Sequence, residues 1–268
     1  FASFVLMFLL LGASGAQQVL LPDGSAFESW ERPLMFKRTF HVAQQSAAAS
    51  DQNEGTEALP WKSIGKAAET LEAGDRVVIH AGEYREWVKP ARGGTGPDCM
   101  ISYEAAPGED VVIKGSLQWN PGWRPCERVK IEGVRIWQAE LSADLFDGAN
   151  VFCLQNFPVQ PDMKTWAPFA GAELRRGQIF VDGEPLIQVS EPNQLNDGAG
   201  RFWVEDNGMT ICARLPRDEE PGKQMIEITT REQVFAPVLP YLNFIRVKGL
   251  RLFHAANPIP IPIPQRGL

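Results

Sequence analysis

From residue 77 onward the apolar residues of this chain come in short runs: Val77-Val78-Ile79, Met100-Ile101-Ser102-Tyr103, Val111-Val112-Ile113, Val129-Lys130-Ile131 and Val134-Arg135-Ile136. Phe244-Ile245-Arg246-Val247 and Leu250-Arg251-Leu252 repeat the theme near the end, separated by Lys248-Gly249. Runs of this length suit strands, because an amphipathic helix needs its apolar positions spread over ten residues or more. No helical pattern lies between them, which argues against alternating βαβ units. Short strands broken by Gly or Asn turns suit a solenoid of parallel strands. The 24 glycines and 21 prolines fit many turns and few long helices, since the usual combined share is ~12%.

A helix is expected over residues 63–73. Ile64, Ala67, Ala68 and Leu71 fall at i, i+3, i+4 and i+7, a single apolar stripe. Ser63 suits the N-cap, where its hydroxyl can accept an orphan backbone N–H, and Gly74 suits the C′ position. Such a helix would cover the open apolar end of a solenoid. Residues 147–237 differ from the rest. Gln178–Ile187 reads as strand, Asp182-Gly183 turn, strand, and Phe202–Cys212 as strand, Asn207-Gly208 turn, strand. Asp-Gly and Asn-Gly are strong hairpin signals. The expected organisation is a partial signal peptide over 1–16, a cap and first coil turns over 17–146, an inserted antiparallel unit over 147–237, and resumption of the coil over 238–268.

The first 16 residues carry no charge: an apolar run, Phe1 to Leu11, precedes the small residues Ser14-Gly15-Ala16. That pattern reads as a secretory signal, being short of the ~20 residues that span a bilayer. The chain is expected to be secreted, periplasmic or at the cell surface, with no membrane segment after cleavage. Residue 1 is not Met, so the sequence is expected to begin inside that signal. The net charge of −7 and the lack of a basic run exclude a typical nucleic-acid binder. Cys99, Cys126 and Cys153 are spaced 27 and 27 apart, and Cys212 follows. In a coil, that interval could bring adjacent turns within disulfide reach. Buried free thiols fit as well, and sequence does not choose among the three full pairings of four cysteines.

The segment from Asn53 to Ser116 resembles the N-terminal cap and first turns of right-handed parallel β-helix proteins of the pectin-lyase-like type. The residues that carry the resemblance begin with Asn53, Gly55-Thr56, Pro60–Ile64 and Ala67-Ala68. They continue with Gly74-Asp75, Val77, Ile79, Ala81-Gly82, Tyr84, Glu86 and Gly93–Thr95. Ile101, Tyr103, Ala105, Pro107–Glu109, Val111–Ile113 and Gly115-Ser116 complete the series. The inserted hairpins resemble the β-sandwich that interrupts the coil in β-xylosidase-like and α-fucosidase-like β-helix hydrolases, and Val247–Asn257 resembles its resumption. The resemblance implies an all-β fold: a right-handed parallel β-helix with an N-terminal capping helix and an inserted antiparallel unit. It implies a secreted carbohydrate-active enzyme, a glycoside hydrolase acting on plant or algal polysaccharide or oligosaccharide. A polysaccharide lyase on uronate-containing glycans and a non-catalytic glycan-binding surface module are the alternatives. The substrate is the only partner implied, and no metal or cofactor is.

No motif of these families' catalytic residues is present to match, so none is assigned, and the catalytic part is expected beyond residue 268. A pair of carboxylates is what glycosidase chemistry needs, ~5–5.5 Å apart for retention and ~6.5–9.5 Å for inversion. With 33 Asp and Glu, the sequence cannot single one out; Glu83, Glu86 and Asp147 are possible groove residues. His254 and Asn257 lie just after a strand, where polar residues can line a groove. Gln265 and Arg266 follow the Pro-alternating run 258–264, which is an extended loop and could wall a cleft. Trp119 and Trp123 flank Asn120-Pro121-Gly122 and could stack on a sugar face. His41 and His80 read as structural histidines. Asp206-Asn207-Gly208 and Asp218-Glu219-Glu220 lack the ligand spacing of a calcium loop.

Overall fold

The structure is a computed structural model that describes residues 20–27, 33–154, 174–237 and 239–256. The chain divides into two compact units, Phe1–Leu34 and Met35–Leu268. In the first, a tight turn brings Leu20 opposite Ala26. The Asp23 carboxylate closes it by accepting from both the N–H and the hydroxyl of Ser25. The expected signal peptide lies outside the described residues.

The second unit is mostly β. Its elements in order are β1 (Arg38–Val42), α1 (Ile64–Thr70), β2 (Asp75–Ile79), β3 (Gly82–Tyr84), β4 (Ile101–Ala105), β5 (Val111–Lys114) and β6 (Ser116–Gln118). Then come β7 (Arg124–Pro125), β8 (Trp137–Glu140), β9 (Ile179–Val181), β10 (Glu184–Pro185), β11 (Ile187–Val189), β12 (Arg201–Val204) and β13 (Thr210–Arg214). Last are β14 (Ile226–Thr229), β15 (Ile245–Lys248) and β16 (Leu250–Phe253). Short 3₁₀ turns punctuate the later half. This meets the expectation of an all-β chain.

Two sheets are wholly parallel. One has the order β1-β2-β4-β15 and the other β16-β5-β3. Successive segments visit both: β2 leads to β3, β4 to β5 and β15 to β16. Residues two apart on these strands point to one side, so Val77 and Ile79, Ile101 and Tyr103, and Val111 and Ile113 all enter one core. Helix α1 adds Ile64, Ala67 and Ala68 to that core. Ser63 caps it as expected, accepting from the Lys66 N–H at 3.1 Å. The Glu86 carboxylate takes the N–H groups of Ile64 and Gly65 at 2.9 and 2.7 Å. The helix ends at Thr70, three residues short of the expected 73, with Leu71 as its C-cap. Gly74 is not its C′ residue: it takes φ of +93° in the turn that opens β2.

The other two sheets are β10-β9-β14-β6, wholly antiparallel, and β11-β12-β13-β8-β7, antiparallel except for β11 against β12. Antiparallel pairing therefore draws on Ser116–Glu140 as well as on residues after 147. Both expected hairpins form. Asp182 and Gly183 both take positive φ, 52° and 87°, as a two-residue turn of the primed kind requires. The five-stranded sheet buries both faces. Phe202, Val204, Ile211 and Ala213 enter a second core, while Trp203 and Cys212, at the alternate positions, face a third. Val129–Ile131 and Val134–Ile136 are not strands, contrary to expectation. Their apolar side chains are instead a loop covering for that third core, so burial, not pairing, accounts for their hydrophobicity.

Candidate functional site

The outer side of the sheet β3-β5-β16 follows from strand alternation. Tyr84, Val111, Ile113, Leu250 and Leu252 point into the first core. The alternate positions Glu83, Val112, Lys114, Arg251 and Phe253 therefore point away from it. Register places Val112 between Glu83 and Arg251, and Lys114 beside Phe253. Glu83 and Phe253 are exposed, Phe253 by 39%.

This face meets the four-stranded antiparallel sheet at a buried carboxylate. Glu227 sits in β14 among Ile226, Ile228 and Thr229 and is 0% exposed. Its Oε1 lies 2.5 Å from an Arg85 nitrogen and its Oε2 3.4 Å from Lys114 Nζ. Lys114 also pairs with Glu83 at 2.6 Å, and Arg85 contacts Glu83 as well. A carboxylate without water needs compensating cations, and these two supply them. Burial pushes the Glu227 carboxyl up, but Arg85, Lys114 and His254 together hold it below the usual carboxylate range.

The Ser116 hydroxyl lies between this carboxylate and an imidazole, 3.5 Å from Glu227 Oε1 and 2.9 Å from His254 Nδ1. His254 stacks on Phe180 of β9 with ring centroids 3.6 Å apart and planes at 15°. Its backbone has φ of +61°, a left-handed conformation that costs a non-glycine residue free energy. The stack and the serine bond fix it there. Gly115 makes the junction possible: a Cβ at that position would lie 2.8 Å from the His254 carbonyl oxygen. Burial lowers the His254 pKa, so the ring is neutral at pH 7.

The group is therefore balanced in charge, with Arg85 and Lys114 against Glu83 and Glu227. Arg251 beside it is likewise paired, with Asp110. Such a face offers fixed donors, an exposed acceptor in Glu83 and an apolar ring in Phe253, and the cations Arg85, Lys114 and Arg251 on it are each matched by a carboxylate. That suits a neutral, hydroxyl-rich ligand. Glu227 itself is sealed from solvent and acts as the anchor that orients its partners.

Of the residues singled out from sequence, His254 and Glu83 come together here. Asn257, Gln265 and Arg266 lie outside the described residues. Trp119 and Trp123 meet edge to face, 5.0 Å between centroids, but Trp119 is only 5% exposed and belongs to the second core, with Trp123 packed against that core. The edge of one ring meets the face of the other, so Trp119 is buried while Trp123 stays half-buried. Glu86 caps α1, and Asp147 pairs with Lys89. His41 and His80 bond to one another at 3.2 Å, and His80 to Glu109 at 3.1 Å, as satisfied structural histidines do. Asp218 and Glu219 pair with Arg214 and Arg217. Among the described residues no group of three or more His, Cys, Asp or Glu could hold a metal ion, and no helix is long and apolar enough to cross a membrane.

Sequence reasoning missed Arg85, Lys114, Ser116, Glu227 and Phe253. One signal was there: a lone Glu between two isoleucines in Ile226-Glu227-Ile228-Thr229, and a lone Lys ending Val111-Val112-Ile113-Lys114, are charges at the edge of apolar runs. What joins them is a pairing across 113 positions of sequence.

No protein-family model matches the chain. Among curated proteins, an uncharacterized protein of Bacillus subtilis (strain 168), YwoF, is 39% identical over 72 residues, which is 26% of this chain and 15% of that protein. Among solved structures, the complex of XylC with xylose aligns with a TM-score of 0.68 and 28% identity over 82% of this chain. A glycoside hydrolase aligns at 0.49 with 13% identity, over 81% of this chain and 51% of that one. The chain spans about a third of the XylC chain, 36%. Over most of this chain the fold is thus shared with a protein whose structure holds xylose.

Proposed function

We propose that this chain belongs to a secreted glycoside hydrolase that acts on a neutral, xylose-like sugar in plant or algal polysaccharide or oligosaccharide. The observation that carries the reading is the likeness to the XylC–xylose complex over 82% of the chain. The architecture behind it is a right-handed parallel β-helix, capped by α1 and interrupted by the antiparallel sheets. The stacked parallel strands β1, β2, β4, β15 and β3, β5, β16 support that reading. The apolar leader over residues 1–11 supports secretion.

The charge balance favours hydrolysis over elimination. A lyase must neutralise the carboxylate of a uronate next to the proton it removes. The cations here are already matched by Glu83 and Glu227. In this reading Glu83, Lys114 and Arg85 hold sugar hydroxyls and Phe253 stacks on a ring face. The cleavage itself requires a pair of carboxylates acting as acid and base or nucleophile. The test is a panel of chromogenic xylosides, fucosides and uronides together with polyuronate. Release from a neutral glycoside is the expected result. An absorbance rise from unsaturated uronate on the polymer would overturn it.

A further inference from the structure

Two cysteines that the sequence left unassigned meet in the third core. Cys126 follows β7, and its N–H donates to the Ile136 carbonyl at 2.8 Å. Cys212 lies in the middle of β13, with Trp203 on one neighbouring strand and Gln138 on the other. Their Sγ atoms are 2.9 Å apart, less than ~1 Å beyond the ~2.05 Å of a disulfide bond. The regular 27-residue spacing brought no such pair together: Cys153 is exposed and bonds the Asn207 carbonyl, and Cys99 is a separate, half-buried thiol.

The two sulfurs are not equivalent. Cys212 is 0% exposed, whereas Cys126 is 7% exposed and lines a groove of about 280 Å³ with Val129, Ile131 and Val134. The Val129 N–H donates to Cys126 Sγ at 3.3 Å. The Cys212 thiol, backbone N–H groups and the Arg128 charge bring the Cys126 thiol down to about 6 against the opposing effect of burial. The Cys126 sulfur and burial push Cys212 up. A thiol at the wall of a groove, backed by a fully buried second thiol 2.9 Å away, is the arrangement thiol–disulfide exchange needs.

We propose that Cys126 and Cys212 are a disulfide-forming pair, with Cys126 the attacking and Cys212 the resolving sulfur, and that the bond pins the covering loop 126–136 onto the five-stranded sheet. The oxidant is a small-molecule disulfide of the glutathione class. Cys126 thiolate attacks one of its sulfurs, forming a mixed disulfide and expelling one thiol. Cys212 then attacks Cys126 Sγ, the mixed S–S bond breaks, and the second thiol leaves with the remaining proton. One disulfide is consumed, two thiols are released and one protein disulfide is formed.

This inference is independent of the carbohydrate reading. The purified chain is equilibrated with glutathione disulfide, denatured, alkylated without reduction and mapped by mass spectrometry. The expected product is one peptide pair joining Cys126 to Cys212, two hydrogens lighter than the sum of its parts, with Cys99 and Cys153 alkylated. The same map is expected from Cys153→Ser. The oxidised chain is expected to melt about 5–10 °C above the reduced one, because the bond closes a long loop. Alkylation of both Cys126 and Cys212 would overturn the proposal. So would a link from either of them to Cys99 or Cys153, or glutathione retained on Cys126 without closure.

Discussion

The parallel and antiparallel regions of this chain place similar charged side chains at different depths. In the antiparallel region each pair has a partner open to solvent, whether the pair is local, as in Arg214 with Asp218, Arg217 with Glu219 and Arg124 with Glu140, or distant, as in Arg128 with Glu205 and Arg135 with Glu220. Within the parallel region, and where it meets the antiparallel sheet at Ser116 and Glu227, more deeply buried contacts join remote strands. Arg246 bonds Glu104 across 142 positions, Ser116 meets His254 across 138, and Lys114 meets Glu227 across 113. A local pair can hold a turn that would form anyway. A distant, buried pair fixes which strand lies beside which. The difference teaches where substitution should matter: ionic contacts are strong determinants of structure only where they are buried and join remote segments.

The largest effect should therefore come from Glu227. Glu227→Gln leaves Arg85 and Lys114 without their buried anion and should lower unfolding free energy by about 3–5 kcal/mol. Asp218→Asn, at a local, half-buried pair whose carboxylate stays open to water, should cost about 1 kcal/mol or less. Equilibrium denaturation in urea gives both numbers. Equal effects from the two variants would break the comparison.

Truncations in the two cores come next. Ile113→Ala and Ile211→Ala each empty a fully buried site and should each cost about 2–5 kcal/mol. Residues 35–268 form one compact unit, so each variant should shift one shared transition, whether read by circular dichroism or by tryptophan fluorescence. Two separable transitions would show that the regions unfold independently.

Acid should act on the parallel region first. His254 and His41 have pKa values lowered by burial from 6.5. Both are neutral in the folded chain and bind protons more readily when it unfolds. Their stabilising contribution is complete above pH 6.5 and falls away as pH drops below it. Glu227 and Glu104, held below their ordinary 4.5, add a second loss beneath pH 4.5. His254→Asn, which tolerates the left-handed backbone, should flatten the stability profile in the interval just below pH 6.5. An unchanged slope in that interval would rule out His254 as a contributor. The smallest effect is expected on the outer rim. Arg251→Ala removes an exposed pair with Asp110 and should change stability by less than about 0.5 kcal/mol.

The sequence made different parts of this architecture legible for different physical reasons. Hairpins are local, so Asp182-Gly183 and Asn207-Gly208 announced theirs directly. The apolar runs at 77–79, 101–103 and 111–113 announced strands, because each strand buries alternate residues. The same logic failed at 129–136, where the apolar residues cover a core as a loop. Helix α1 was legible from its stripe and its Ser63 cap, but its end was set by Leu71 rather than by the nearest glycine. The site was half legible. His254 stood out as a rare residue beside a strand end, and Glu83 as a carboxylate in a plausible groove. Glu227 and Lys114 acquire meaning only through pairing with remote strands, which no local pattern encodes. Trp119 shows the converse: a loop tryptophan looks available for stacking until the core beneath it is known.

The most direct test of the proposed site is calorimetric titration of the protein, and of Phe253→Ala, with a neutral xylo-oligosaccharide and with an oligogalacturonate. Phe253 is exposed, so its removal should leave the melting temperature nearly unchanged. The expected result is binding of the neutral oligosaccharide by the native protein, loss of at least tenfold in affinity in Phe253→Ala, and no heat from the oligogalacturonate. Equal affinity in the two proteins, or preferential binding of the uronate, would contradict a neutral-sugar site on the face formed by Glu83, Lys114 and Phe253.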